Sequence, residues 1–94
     1  MERQNWTFLS NHSHVLIALA GNPELRLRDL AEAVGVTERA VAHILSDLEA
    51  AGVIERSRVG RRNAYIINGN IPLRHPVEAH RTVNDILRLA KKDS

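Results

Sequence analysis

The stretch Asp29–Asn68, DLAEAVGVTERAVAHILSDLEAAGVIERSRVGRRNAYIIN, decides how this 94-residue chain folds. Leu30, Ala31 and Val34 fall at i, i+1 and i+4, one face of a short helix over Asp29 to Val34. Gly35 supplies a turn, because glycine tolerates positive φ. Val36 plugs the core, and Thr37 is a good N-cap for a second helix. That helix, Glu38 to Ala51, carries Val41, Ile44, Leu45 and Leu48 on one face. Arg39, Ala42, His43, Ser46 and Ala50 fall on the opposite face. Gly52 ends it. A strand from Val53 to about Val59, a turn at Gly60-Arg61-Arg62-Asn63 and a strand from Ala64 to Asn68 then read as a hairpin. In the second strand Tyr65 and Ile67 point one way and Ile66 the other. Tyr65 is read as core.

Outward from this stretch the signals are plainer. Trp6, Phe8 and Leu9 anchor a loose N-terminus. Ser10 or Asn11 caps a helix from about His12 to Ala20, with Val15, Leu16, Ile17 and Leu19 as its apolar set. Gly21-Asn22-Pro23 stops it, and Leu25-Arg26-Leu27 alternates as one very short strand. Gly69, Asn70 and Pro72 make a linker. Pro76 suits the first position of a last helix. That helix runs to about Lys91 with Ala79, Val83, Ile86, Leu87 and Ala90 on a stripe. The predicted fold is mainly α with a small β-hairpin, an α+β single domain over residues 1–94 whose central unit is 25–68.

Composition narrows the chemistry. The chain is 44% apolar, enough for a core, but only 3% aromatic, so that core is aliphatic. There is no cysteine, which excludes disulfides and thiolate metal sites. MERQNWTFLS contains no apolar run of the signal-peptide kind, and no stretch approaches the roughly 20 apolar residues that span a bilayer. The expected location is the cytoplasm. The net charge of +2 is unevenly spread. Residues 1–54 hold 4 basic and 7 acidic groups, whereas residues 55–74 hold 5 arginines against 1 glutamate. Positive charge concentrated on the hairpin suits a polyanion better than diffuse basicity does.

In this order of elements the chain resembles the winged helix-turn-helix transcriptional regulators, in particular the small ArsR/MarR-like group. The residues that carry the resemblance are Asp29-Leu30-Ala31, Val34-Gly35-Val36-Thr37, Val41, Leu45, Leu48, Ala51-Gly52-Val53-Ile54 and Gly60-Arg61-Arg62. Each motif is weak alone; their order is specific. The resemblance implies a regulator that binds double-stranded DNA as a homodimer, with 38–51 as recognition helix and 55–67 as wing. It implies an association with the nucleoid and, in the simplest mode, repression. Two departures stand out. Metal-sensing members commonly use cysteines, and small-molecule sensors often have longer dimerisation arms, so no cofactor and no small-molecule ligand are expected.

The proposed DNA-binding set is Thr37, Glu38, Arg39, Ala42, His43, Ser46, Arg56, Arg58, Arg61 and Arg62. Arg39 has the donors for guanine O6 and N7; His43 suits guanine or phosphate; Ala42 permits close approach or meets a thymine methyl. Thr37 suits phosphate, beside the exposed N–H groups of the helix start. Glu38 either accepts from cytosine N4 or complements the helix dipole. Arg61 and Arg62 at the turn suit phosphate or a narrow minor groove, and Arg56 and Arg58 share a strand face that extends the patch. Asp47 and Glu49 lie further along the helix. Residues 1–20 and 76–92 are expected to form a dimer surface around Trp6, Phe8, Val83, Ile86, Leu87 and Ala90.

Other readings stay open at this point. His75, Glu78 and His80 are conceivable metal ligands, although HPVEAH matches neither HExxH nor HxxEH. A winged helix can also bind protein instead of DNA. An enzyme is not expected, because no nucleotide-binding glycine loop, thiol or recognisable Ser/His/carboxylate arrangement occurs.

Overall fold

The computed structural model describes residues 5–90. Its elements run α1 (Asn11–Gly21), α2 (Leu27–Val34), α3 (Glu38–Ala50), β1 (Ile54–Val59), β2 (Arg62–Ile67), α4 (Val83–Leu87) and a closing 3₁₀ turn, Arg88–Ala90. The three long helices pack on one another, and the antiparallel β1–β2 hairpin lies against the end of α3.

Local chemistry explains each boundary. The Ser13 N–H donates to the Ser10 hydroxyl at 3.4 Å and starts α1. Gly35 caps α2 with φ 85° and ψ 33°, and the N–H groups of Gly35 and Val36 both donate to the Ala31 carbonyl. This left-handed cap turns the chain by a route that a Cβ-bearing residue takes only at a cost. The Thr37 hydroxyl then accepts from the Ala40 N–H at 3.0 Å and starts α3. At the far end Val53 N–H donates to the Leu48 carbonyl at 2.9 Å across Gly52, whose φ is 77°. The core is aliphatic apart from Tyr65. Val15, Leu19, Leu30 and Val41 are its most deeply enclosed side chains, and Ile44, Leu45 and Leu48 complete the inner face of α3. Burial pushes the Tyr65 phenol above its ordinary pKa.

Three sequence expectations need correction. The turn is tighter than 60–63. Val59 pairs with Arg62, leaving Gly60 and Arg61 as a two-residue loop with Gly60 at φ 65°. That is the glycine-first pattern favoured between twisted strands.

Leu25-Arg26-Leu27 is not a strand, because Leu27 already opens α2. The Asp29 carboxylate accepts the Arg26 N–H at 3.2 Å, which removes that donor from any ladder. This hydrogen bond is the main reason the Asp29 carboxyl is held below its usual range. One backbone link to the hairpin remains, from Tyr65 N–H to the Pro23 carbonyl at 3.2 Å.

The last helix does not begin at Pro76. Residues 69–73 fold back on 81–84 instead. Leu73 N–H donates to Arg81 O, Val83 N–H to Ile71 O and Asn84 N–H to Gly69 O, each at 2.9 Å. Pro76 and Ala79 lie in the turns between. The helix starts after Thr82, whose N–H is accepted by the Asp85 carboxylate at 3.1 Å. The predicted end at Lys91 lies outside the described residues.

Two glycines separate backbone strain from helix propensity. Gly35 and Gly21 both have open space where a Cβ would sit, but only Gly35 has positive φ. Gly35→Ala should lose about 1–2 kcal/mol of stability, the usual cost of a left-handed L-residue. Gly21→Ala, on the last residue of α1, should gain about 0.4–1 kcal/mol. Urea midpoints of the two variants should therefore move in opposite directions.

Candidate nucleic-acid interface

Packing of α3 decides which side chains face out. With Val41, Ile44, Leu45 and Leu48 buried, Glu38, Arg39, Ala42, His43 and Ser46 are exposed on the free face. The Thr37 hydroxyl accepts at the cap and keeps its own O–H to donate. A helix start with exposed N–H groups and a free hydroxyl suits a phosphate oxygen.

The hairpin divides its arginines into two kinds. Arg56 pairs with Tyr65 and Arg58 with Asn63, so both lie on one face, as the alternation predicts. Arg56 reaches back to α3, where its Nε lies 3.4 Å from Glu49 Oε2. Arg62 donates from Nη2 to the Glu24 carbonyl at 3.0 Å, tying the base of the wing to the loop before α2. Arg58 and Arg61 are exposed and make no hydrogen bond or ion pair among the described residues; the same holds for Arg39 on α3. On α3 and the hairpin, these three guanidiniums are the arginines left available to an outside partner among the described residues. Arg56 and Arg62 hold the framework that presents them.

A charge cluster that sequence reasoning missed sits on the flank of α3. The Asp47 carboxylate accepts from His12 Nε2 of α1 at 2.9 Å. His43 Nε2 lies 3.6 Å from the same oxygen. The His12 hydrogen bond is the main reason the Asp47 carboxyl is held below its ordinary range. The spacing of His43 and Asp47, i and i+4, was visible in the sequence; the approach of His12 needed the packing of α1 on α3. Arg28, in the first turn of α2, is a second omission. It is exposed and unpaired among the described residues, on a helix that in such motifs crosses the DNA backbone.

The other candidate residues are dispersed. His75, Glu78 and His80 lie in exposed turns, and His75 Nδ1 already accepts the Val77 N–H at 3.1 Å. Among the described residues, no three His, Cys, Asp or Glu side chains are placed to hold a metal ion. Val83 is buried in the chain's own core, and Ile86, Leu87 and Ala90 are half-buried. Trp6 and Phe8 are exposed and stack edge to face, with centroids 5.0 Å apart. An open groove of about 780 Å³ runs between α1, the end of α3 and the 71–86 segment. No helix among the described residues is long and apolar enough to cross a membrane.

A family model described as winged helix-turn-helix DNA-binding matches residues 10–55, which spans α1 to the start of the wing. The fold is a winged helix-turn-helix. Among solved structures, the PcaV transcriptional regulator of Streptomyces coelicolor, determined with its natural ligand, is 30% identical. That match covers 64% of this chain and 45% of the regulator, with a TM-score of 0.55. The MarR family protein Rv2887 of Mycobacterium tuberculosis, in complex with salicylic acid, is 27% identical over 87% of this chain and 60% of its own, at a TM-score of 0.54. MepR, a transcription regulator of the Staphylococcus aureus multidrug efflux pump MepA, shares the fold at 20% identity and a TM-score of 0.59, over 86% of this chain and 56% of its own. The chain thus spans about half to three-fifths of the length of these regulators. These neighbours are transcription regulators, not enzymes. A search of curated proteins finds no match.

The Asp47 contact has a testable sign. Its folded-state pKa lies below the ordinary 3.8, so its contribution to stability is present above that value and lost as pH falls through the folded one. In thermal melts from about pH 6 down to about pH 2.5, Asp47→Asn should lose less stability than the wild type. Parallel curves for the two proteins would mean that the His12 contact contributes nothing.

Proposed function

We propose that this domain binds duplex DNA as the reading head of a homodimeric transcription regulator. On this reading α3 enters the major groove and the wing lies on the backbone or in the adjacent minor groove. The observation that carries the proposal is the placement of three exposed, unpaired guanidiniums, Arg39, Arg58 and Arg61, on the free face of α3 and on the wing. Arg39, in the first turn of α3, is where recognition helices meet base edges. Repression is the simplest mode, since occupying an operator is enough to exclude other proteins. The working location is the cytoplasm, on the nucleoid.

The dimer is part of the same proposal. Phe8 is 91% exposed, Val77 77% and Leu89 59%, so the surface retains large apolar side chains after the protomer's core is complete. Two copies would set half-sites about 34–36 Å apart. Sedimentation should show a dimer, and Phe8→Ser combined with Leu89→Ser should shift it toward monomer. The 780 Å³ groove leaves room for a small effector, as two of the structural neighbours carry ligands.

The test is fluorescence anisotropy on duplexes recovered by random-sequence selection, repeated over a salt series. A selected near-palindromic site with a steep salt slope is expected. Arg58→Ala with Arg61→Ala should weaken binding to every duplex and flatten the log–log slope by about 0.9 per lost phosphate contact. Arg39→Ala should instead reduce discrimination at one base pair by about 1–3 kcal/mol. If selection enriches nothing and no duplex binds, the domain is a protein-interaction module.

A further inference from the structure

The helix α3 carries more negative than positive permanent charge. Glu38, Asp47 and Glu49 stand against Arg39 as its only permanent cation. Glu38 is favourably placed in the first turn, at the positive end of the helix dipole. Glu49 has a permanent counter-charge in Arg56, at 3.4 Å. Asp47 is different, because the groups that touch it are imidazoles: His12 Nε2 at 2.9 Å and His43 Nε2 at 3.6 Å, both directed at Oδ2. The cluster is open to solvent. The side chains of His12 and Asp47 are each 46% exposed and that of His43 is 78% exposed.

Resting on the DNA-binding reading, we propose that His12 and His43 form a proton-dependent clamp on Asp47, which positions His43 on the recognition face and sets affinity for the duplex. Histidine is the side chain whose charge ordinarily changes between pH 5 and 8. With both rings neutral, the cluster has a charge of −1 on the flank of the helix that approaches phosphate. Each proton taken up adds one positive charge, so the doubly protonated cluster is +1. A polyanion favours the more positive form of the cluster.

Other charged groups stand around the cluster. From the 71–82 segment, Arg74 acts on Asp47 through space and Glu78 lines the same groove. On α4, Asp85 is engaged by Arg88 at 2.6 Å and Arg81 at 3.8 Å. At the start of α2, Asp29 is engaged by Arg26 at 3.4 Å. On β1, Arg56 is engaged by Glu49. His12 also ties α1 to α3, so it acts on the reading face through Asp47 as a positioning residue.

The test is the dissociation constant on one selected duplex from about pH 5.5 to pH 8.5 at constant ionic strength. The proteins are wild type, His12→Gln, His43→Gln, the double variant and Asp47→Asn, with circular dichroism at each pH to show that each is folded. Glutamine keeps an N–H donor but does not titrate. His14→Gln is the control, since His14 pairs with Asn11 on its own helix at 3.0 Å. Wild-type affinity should rise roughly tenfold from pH 8 to pH 6. Each single glutamine variant should lose part of that rise and the double variant most of it, while His14→Gln retains it. Asp47→Asn should bind more tightly than wild type at pH 8. A double variant with the wild-type profile, or a wild type that binds with a flat profile, overturns the clamp and leaves the DNA reading intact. A wild type that binds no duplex at any pH overturns both.

Discussion

Burial of one face of α3 is the constraint on which the rest of the arrangement depends. Val41, Ile44, Leu45 and Leu48 are enclosed by the other helices and the hairpin, and this fixes the rotation of α3 about its own axis. At 100° per residue, that rotation leaves Arg39, Ala42, His43 and Ser46 no place except the free face. Burying four aliphatic side chains is worth roughly 1.5–3 kcal/mol each before conformational entropy is counted. The face a partner meets is thus set by hydrophobic packing, not by any polar contact of its own. The left-handed cap at Gly35 and the Thr37 N-cap set where α3 begins, and hence how far Arg39 sits from its end.

The wing depends on the same helix through a different kind of interaction. Val53 and Ile54 are buried and carry the core into β1, while Tyr65 returns it through β2. Outside that apolar root the attachments are polar and exposed: Arg56 to Glu49, and Arg62 to the Glu24 carbonyl. Exposed ion pairs contribute little to stability, in the range of about 0–1 kcal/mol. Their effect here is directional. They occupy two of the four wing arginines within the protein and hold the hairpin so that Arg58 and Arg61 project. A wing made only of free arginines would lack that definition.

Most of the fold was legible because its decisive signals are local. The period of α3, the glycines at 35 and 52 and the alternation about Tyr65 each act within a few residues. Where the reading departed from the structure, a longer-range contact prevailed over a local preference. Pro76 is well suited to begin a helix, yet the 69–73 segment pairs back on 81–84 and moves the start to Thr82. Thr82-Val83-Asn84-Asp85 carries its own capping signal, which the proline masked. Leu25 to Leu27 alternates like a strand, but the Asp29 carboxylate three residues on takes the Arg26 N–H for a helix. The apolar stripe with Val83 and Leu87 reads from sequence as a dimer surface, but sequence alone does not say against what it packs; Val83 lies in the chain's own core and Leu87 packs half-buried against it.

The candidate site was less legible for the same reason. Sequence shows that an arginine is charged and on which face it falls, but not whether another residue already holds it. Arg56 and Arg61 look equivalent in ERSRVGRR; one is paired with Glu49 and the other is free among the described residues. Asp47 lies far along α3, but position alone does not neutralise a carboxylate. Two carboxylates share the second half of this helix, and the fold supplies a counter-charge to each from a different element. Glu49 takes a guanidinium from β1, which remains charged at any physiological pH. Asp47 takes an imidazole from α1 and another from its own helix, which do not. On the DNA-binding reading, that asymmetry gives the two ends of the free face of α3 different kinds of counter-group.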